Sequence, residues 1–249
     1  KLHEFNQLLR GAENTSFLPL NDQAALTQLK VCYVITLDAD TKMPMGVVNQ
    51  LVGVAAHPLN QTIFNKLSRR IEDGYGILQP RVTPTLPHRQ EHSLFHQMFA
   101  GASGTDAYSS SVSELYQDLF GLGTYSGKGL YHIDSFEAAL EGRVPDNTQL
   151  SHDLYESVYV RCALVSDIEF FEDFPSHTEV AASREHRWTR GDWQLLPWIF
   201  GAGGKNMPIV GRWKMLDNLR RSLSAPGAFM ALVLTWILPQ APQGILIGL

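Results

Sequence analysis

A chain of 249 residues is long enough to bury a full core in one large domain, or in one domain with an appendage. Its composition is that of an ordinary soluble globular protein, with no low-complexity tract and no repeat, which excludes fibrous and solenoid classes. The net charge of −5 argues against a chain that wraps nucleic acid.

Lys1 opens directly into a helical pattern that runs to Leu9, with Leu2, Phe5, Leu8 and Leu9 on one face and Gly11 available as a stop. Neither an initiator Met nor a signal peptide precedes it, so the chain is expected to be cut from a longer one. Val31-Cys-Tyr-Val-Ile-Thr-Leu37 is mostly apolar and β-branched or bulky, and reads as a strand buried on both faces of a parallel sheet. Asp38 and Asp40 stand where that strand should end. Ligands collect at the carboxyl edge of strands in open α/β sheets, so the two carboxylates are expected at the mouth of a crevice. Two apart in an extended segment, they point the same way and can hold a hard divalent cation against a diphosphate. Taken alone, the pair also reads as an ordinary turn.

Pro44 can start a helix running through Val47, Leu51 and Val54 to Ala56. Gly74 and Gly76 mark a turn, and Ile77 to Val82 reads as a strand that Pro80 places at an edge or a bulge. Helical stretches follow near 91–100 and 111–120. The glycine-dense segment Gly121 to Gly129 lets backbone come close to a ligand, and Lys128 adds a cation; it lacks the spacing of a P-loop, and glycines that only shape a hairpin are the competing reading. Asp134 to Leu140 makes a short helix, Ser151 can cap another over 154–161, and Ala163 to Phe171 is a strand ended by Asp173 and Pro175. Cys32 and Cys162 lie in apolar segments and read as buried, reduced thiols of a reducing compartment.

If Ser183 caps a helix, Arg184, Arg187 and Trp188 share one face of its first turns. Cations there oppose the helix macrodipole, which argues for a bound anion, held by an Arg fork beside an indole that can stack on a sugar. A surface Arg cluster with a half-buried tryptophan is the alternative. Beyond Arg221 no charged residue occurs, and Phe229 to Leu238 is strongly apolar before Pro239. Residues 223–249 are therefore expected to associate with or span a membrane, with Arg220 and Arg221 on its cytoplasmic flank.

Several segments together resemble family 2-like glycosyltransferases. Lys1-Leu-His-Glu-Phe-Asn6 is similar to the Lys and Asn helix ahead of their metal strand, Asp38-Ala-Asp40 to their DxD, and Tyr125-Ser-Gly127 to their acceptor loop. Ser151-His-Asp153 stands where they carry Thr-Glu-Asp, and Arg184-Glu-His-Arg-Trp188 where processive members carry Gln-x-x-Arg-Trp, with Arg184 departing from the usual Gln. The closer resemblance is to the glucosyltransferase domain of cyclic β-1,2-glucan synthases, through Gly74 to Arg81, Tyr116 to Phe120, Gly127-Lys-Gly129, Leu150 to Leu154 and Arg187-Trp-Thr-Arg-Gly-Asp-Trp-Gln194.

That resemblance implies an α/β fold of GT-A type, with a mainly parallel sheet flanked by helices, its first nucleotide-binding strands lying upstream of Lys1. It assigns residues 1–222 to a partial glucosyltransferase domain and implies further domains of a larger inner-membrane polypeptide, with the catalytic domain on the cytoplasmic face. The expected partners are UDP-glucose and a β-1,2-glucan acceptor, with no nucleic acid, and the expected cofactor is Mg²⁺ or Mn²⁺. Asp153 is then the general base and Asp38 and Asp40 hold the metal. Lys1, Asn6, Lys128, Arg184 and Arg187 bind the donor, while Trp188, Gly127 and Tyr125 serve the acceptor. Two other readings stand beside this one. Leu37-Asp-Ala-Asp-Thr41 also fits the nucleophile strand of haloacid-dehalogenase-like phosphotransferases, with Asp38 taking the phosphoryl group. A non-catalytic glucan-binding domain is the third, against which the retention of Asp153 and the Asp pair argues.

Overall fold

The computed structural model describes residues 2–17, 30–85, 113–143, 148, 153–175, 177–201 and 206–237. Lys1, the helix expected near 91–100, Ser151 and His152, and residues 238–249 lie outside them. Two compact units share the chain: Lys1–Thr148 with His152–Arg184, and Gln149–Ser151 with Glu185–Leu249.

In the first unit, α1 (Leu2–Leu9) is followed by β1 (Tyr33–Thr36), β2 (Thr41–Lys42) and α2 (Val47–Ala56). The hairpin β3 (Ile63–Asn65) and β4 (Arg70–Asp73) comes next, then β5 (Ile77–Pro84) and α3 (Leu115–Phe120). The remaining elements are β6 (Gly129–His132), α4 (Ile133–Leu140), α5 (Asp153–Val160) and β7 (Cys162–Glu172). Helix α6 (Thr178–Gln194) carries the boundary between the units, after Arg184.

The main sheet has the order β1-β6-β5-β7-β2. Only β5 and β7 are parallel; β1–β6, β6–β5 and β7–β2 are antiparallel, so the sheet is mixed and not mainly parallel as expected. The Val31 segment is corrected with it. β1 is an edge strand, half-buried at all four positions, because only β6 pairs with it. An apolar run announces burial, but not how many neighbours provide it. Pro80 lies in the central strand β5 at a register break, where its partner is Val165 and that of Arg81 is Glu169. A residue with no N–H to donate is tolerated at such a bulge.

Alternation along the strands builds the two faces. Leu78 and Leu130, paired across β5 and β6, enter one cluster with Val47, Leu51 and Ala55, which recur every fourth residue and form the buried stripe of α2. The neighbouring pair, Ile77 and Tyr131, is fully buried too, and Tyr131 packs its ring on Phe136 of α4 at 4.5 Å between centroids. Residues one apart point to opposite faces, so α2 covers one side of the sheet while α1 and α4 meet Tyr131 on the other. Cys162 is buried as expected, whereas Cys32, just before the edge strand, is exposed.

In the second unit, α7 (Leu196–Phe200) packs with α8 (Ile209–Ile237), whose buried residues, Met215 and Leu219 among them, all lie in its first half. Asn218 donates a hydrogen bond to Asp192. Beyond Arg221 the helix turns apolar and exposed, with Phe229, Met230 and Trp236 on its surface. Among the described residues no helix is long and apolar enough to cross a membrane, so the expected span is not found in α8.

Candidate functional site

The turn Leu37-Asp38-Ala39-Asp40 takes the chain from β1 at one edge of the sheet to β2 at the other. It is closed by a hydrogen bond from the Thr41 amide to the Asp38 carbonyl (3.1 Å). Because Thr41 pairs with Glu172 at the end of β7, the turn brings a third carboxylate to the Asp pair. Asp38, Asp40 and Glu172 each offer an oxygen within 4.8 Å of the others. Hard oxygen donors at this spacing suit Mg²⁺ or Mn²⁺, so the donor set fits the expected metal.

Two cations balance these acids. Lys128 Nζ lies 2.7 Å from Glu172 Oε2 and 3.2 Å from Asp38 Oδ2. Arg184 forks, with Nη2 2.9 Å from Asp40 Oδ2 and Nη1 3.2 Å from Glu172 Oε1. Glu172, only 8 % exposed, therefore ties both cations together. Burial works against the charged amine of Lys128, but Glu172 and Asp38 outweigh it and hold the group above its ordinary pKa.

Lys128 is carried by a loop whose conformation is fixed residue by residue. Glu114 accepts from the Thr124 amide and hydroxyl, and Tyr125 shares a 2.6 Å hydrogen bond with Thr36. Gln79, wholly buried, accepts from the amide and hydroxyl of Ser126 at 2.9 and 3.0 Å. Gly127 has φ +84, and a Cβ there would meet Asp153 Oδ2 at 3.0 Å. Gly129 has φ +156, and a Cβ there would strike the Leu78 carbonyl oxygen at 2.3 Å. Only glycine fits two such positions, which is what the glycine density of the sequence encodes.

Through Gly127 the same loop touches Asp153, the first residue of α5. One turn on, Glu156 is buried, and desolvation, reinforced by the Asp153 charge, pushes its carboxyl well above the usual carboxylate range.

Asp38, Asp40 and Arg184 are thus gathered with Lys128 around Glu172, and Asp153 lies beside the adjacent Gly127 of the same loop. Tyr125 belongs to the loop but is 2 % exposed, and burial raises its phenol well above its ordinary pKa. Asn6 stands elsewhere. At 0 % exposure its amide donates to Glu137 and accepts from the Tyr131 hydroxyl, both at 2.7 Å, which joins α1 to α4 and β6; donor binding finds no support in this position. Arg187 and Trp188 belong to the second unit, where both are exposed on α6. α6 starts at Thr178, so Ser183 is interior and does not cap, and the opposition between these cations and a helix N-terminus disappears. Glu172 and Glu156 were not singled out from the sequence. The signal for Glu172 is an acid closing a long apolar strand, which gains meaning only once β2 pairs there. A separate cavity of about 680 Å³, lined by Gln50, His57, Asn60 and Asp167 among others, contains none of these residues, so chemistry and not volume marks the site.

No protein-family model matches the chain. Over 237 residues, 95 % of the chain, it is 51 % identical to the cyclic beta-(1,2)-glucan synthase NdvB of Rhizobium meliloti (strain 1021), of which it spans 8 % of the length. Identity at that level over nearly the whole chain makes this protein a homologue of one domain of a cyclic β-(1,2)-glucan synthase.

Proposed function

We propose that this chain is the glucosyl-transfer domain of a glucan synthase, moving glucose from UDP-glucose to a growing β-1,2-glucan with inversion at the anomeric carbon. The observation that carries the reading is a single hydrogen-bonded loop in which two adjacent residues face both groups, Lys128 on the three-carboxylate cluster and Gly127 beside the Asp153 carboxylate. The similarity to the synthase supports the sugar chemistry.

Forming a β-glucoside from an α-linked nucleotide sugar in one displacement needs a base on the acceptor hydroxyl and charge stabilisation on the departing diphosphate. Asp153 takes the proton from the acceptor hydroxyl as that oxygen bonds to the anomeric carbon and the bond to UDP breaks. Asp38 and Asp40, with Glu172 beside them, would hold Mg²⁺ or Mn²⁺, which supplies positive charge to the diphosphate when bound. Lys128 and Arg184 add cationic hydrogen-bond donors for the leaving group, and Arg187 is assigned the same task. Gly127 gives the acceptor close approach to the base, Tyr125 fixes the loop through Thr36, and Trp188 offers a stacking surface for the glucan. The phosphotransferase alternative loses ground, because Asp38 follows an antiparallel edge strand and is paired with Lys128.

We assign the chain to the cytoplasmic face of the inner membrane. The exposed apolar half of α8, preceded by Arg220 and Arg221, supports an interfacial contact there. Incubation of the full-length protein with UDP-glucose and Mg²⁺, followed by linkage analysis, is expected to yield a β-1,2-linked glucan. Absence of UDP-glucose consumption, or another linkage, would refute the assignment.

A further inference from the structure

The acidic cluster is folded with its counter-ions already in place. Asp38 is paired with Lys128, Asp40 with Arg184, and Glu172 with both. Three carboxylates against two cations leave one net negative charge, far less attraction for a lone divalent cation than three unpaired acids would give. The converse holds for a lone diphosphate, since Lys128 and Arg184 are both committed to carboxylates.

The two sides of these pairs differ in how firmly they are held. Asp38 and Asp40 lie on a turn and are exposed and half-exposed, so their carboxylates can change partner without disturbing the core. Glu172 is buried at the strand end, and Lys128 is 7 % exposed on the rigid loop. Glu172 can therefore keep both cations in position while Asp38 and Asp40 release them. Joint arrival of metal and diphosphate lets every charge find a new partner: the Asp pair takes the metal, and Lys128 and Arg184 turn to phosphate oxygens.

Resting on the metal and diphosphate reading given above, we propose that Lys128 and Arg184 are exchangeable internal counter-ions, which make divalent cation and nucleoside diphosphate bind synergistically and each weakly alone. Linkage requires the factor to be the same in both directions.

Electron paramagnetic resonance of free Mn²⁺, titrated against the full-length protein with and without UDP and corrected for Mn²⁺ chelated by free UDP, tests this. UDP is expected to tighten Mn²⁺ binding on the order of tenfold or more. Arg184→Gln should bind Mn²⁺ alone several-fold more tightly than wild type and lose most of the UDP enhancement. Arg184→Lys reaches one carboxylate where the guanidinium reaches two, and should fall between them; it decides the matter if the Gln variant does not fold. Wild-type Mn²⁺ affinity that ignores UDP, or arginine variants that gain no affinity for the metal alone, would overturn the proposal. Asp40→Ala separates the two levels. If it abolishes Mn²⁺–UDP binding while the arginine variants behave as wild type, only the counter-ion exchange fails. If it changes nothing, the metal site fails and the exchange with it.

Discussion

The loop Thr124–Gly129 and the turn Leu37–Asp40 both bear on the candidate site, but different forces hold them. In the loop, neutral hydrogen bonds to Gln79 and Thr36, the buried Glu114 carboxylate and two glycines with no room for a side chain fix every residue. The turn is held by one backbone hydrogen bond and by ion pairs to partly exposed carboxylates. Buried hydrogen bonds define a geometry, whereas exposed ion pairs contribute little stability and re-pair readily. The loop that carries Lys128 and borders Asp153 is thus preorganised, and the turn that carries Asp38 and Asp40 is adaptable.

The comparison can be broken first at the base. Asp153→Asn keeps shape and helix start but removes the proton acceptor, so transfer should fall by ~10²–10⁴-fold with UDP-glucose binding nearly unchanged. Steady-state kinetics beside a binding titration checks this; near wild-type synthesis would leave Asp153 as a helix cap. Next is the rigidity of the loop. Gly129→Ala should cost about 2–4 kcal/mol, read as a lowered melting temperature, because its Cβ has the Leu78 carbonyl in its way. Asp38→Asn sharpens the contrast on the adaptable side: it should change stability by ~1 kcal/mol or less, since Asp38 is largely exposed and Lys128 keeps Glu172.

The smallest effect concerns Glu156. Its folded pKa is raised above the ordinary 4.5, so the unfolded chain releases this proton first, and the stability present below pH 4.5 is lost progressively as pH rises toward the folded value. Glu156→Gln should therefore be at least as stable as wild type near pH 7, with the difference shrinking toward pH 4.5. A variant that is less stable at pH 7 would mean that the ionised carboxylate is needed.

Local periodicity made much of the fold legible. The apolar spacing of Val47, Leu51 and Val54 gave α2 with its start placed three residues early, at Pro44, and the β-formers gave β7 to within one residue of each bound. What stayed hidden depends on non-local partners. The apolar Val31 segment does not reveal that its one neighbour is β6, nor that the pairing is antiparallel. Ser183 has the chemistry of a cap, but Thr178 to Ala182 continue the helix ahead of it. Asp38 and Asp40 stood out by their spacing at a strand end and Lys128 by its glycine-dense segment, whereas Asp153 was singled out through the family resemblance alone. Glu172 was not, because its partners are 44 and 12 residues away in sequence. The buried structural bonds of Asn6 were hidden for the same reason: its partners Tyr131 and Glu137 are non-local.

The metal side carries the central claim, and a calorimetric titration of UDP into the full-length protein, wild type and Asp40→Ala, each with and without Mn²⁺, tests it most directly. Wild type should bind UDP tightly only with Mn²⁺, and Asp40→Ala should lose that metal-dependent binding while keeping its melting temperature. UDP affinity that Asp40→Ala leaves unchanged, with metal and without it, would contradict the assignment of the acidic cluster.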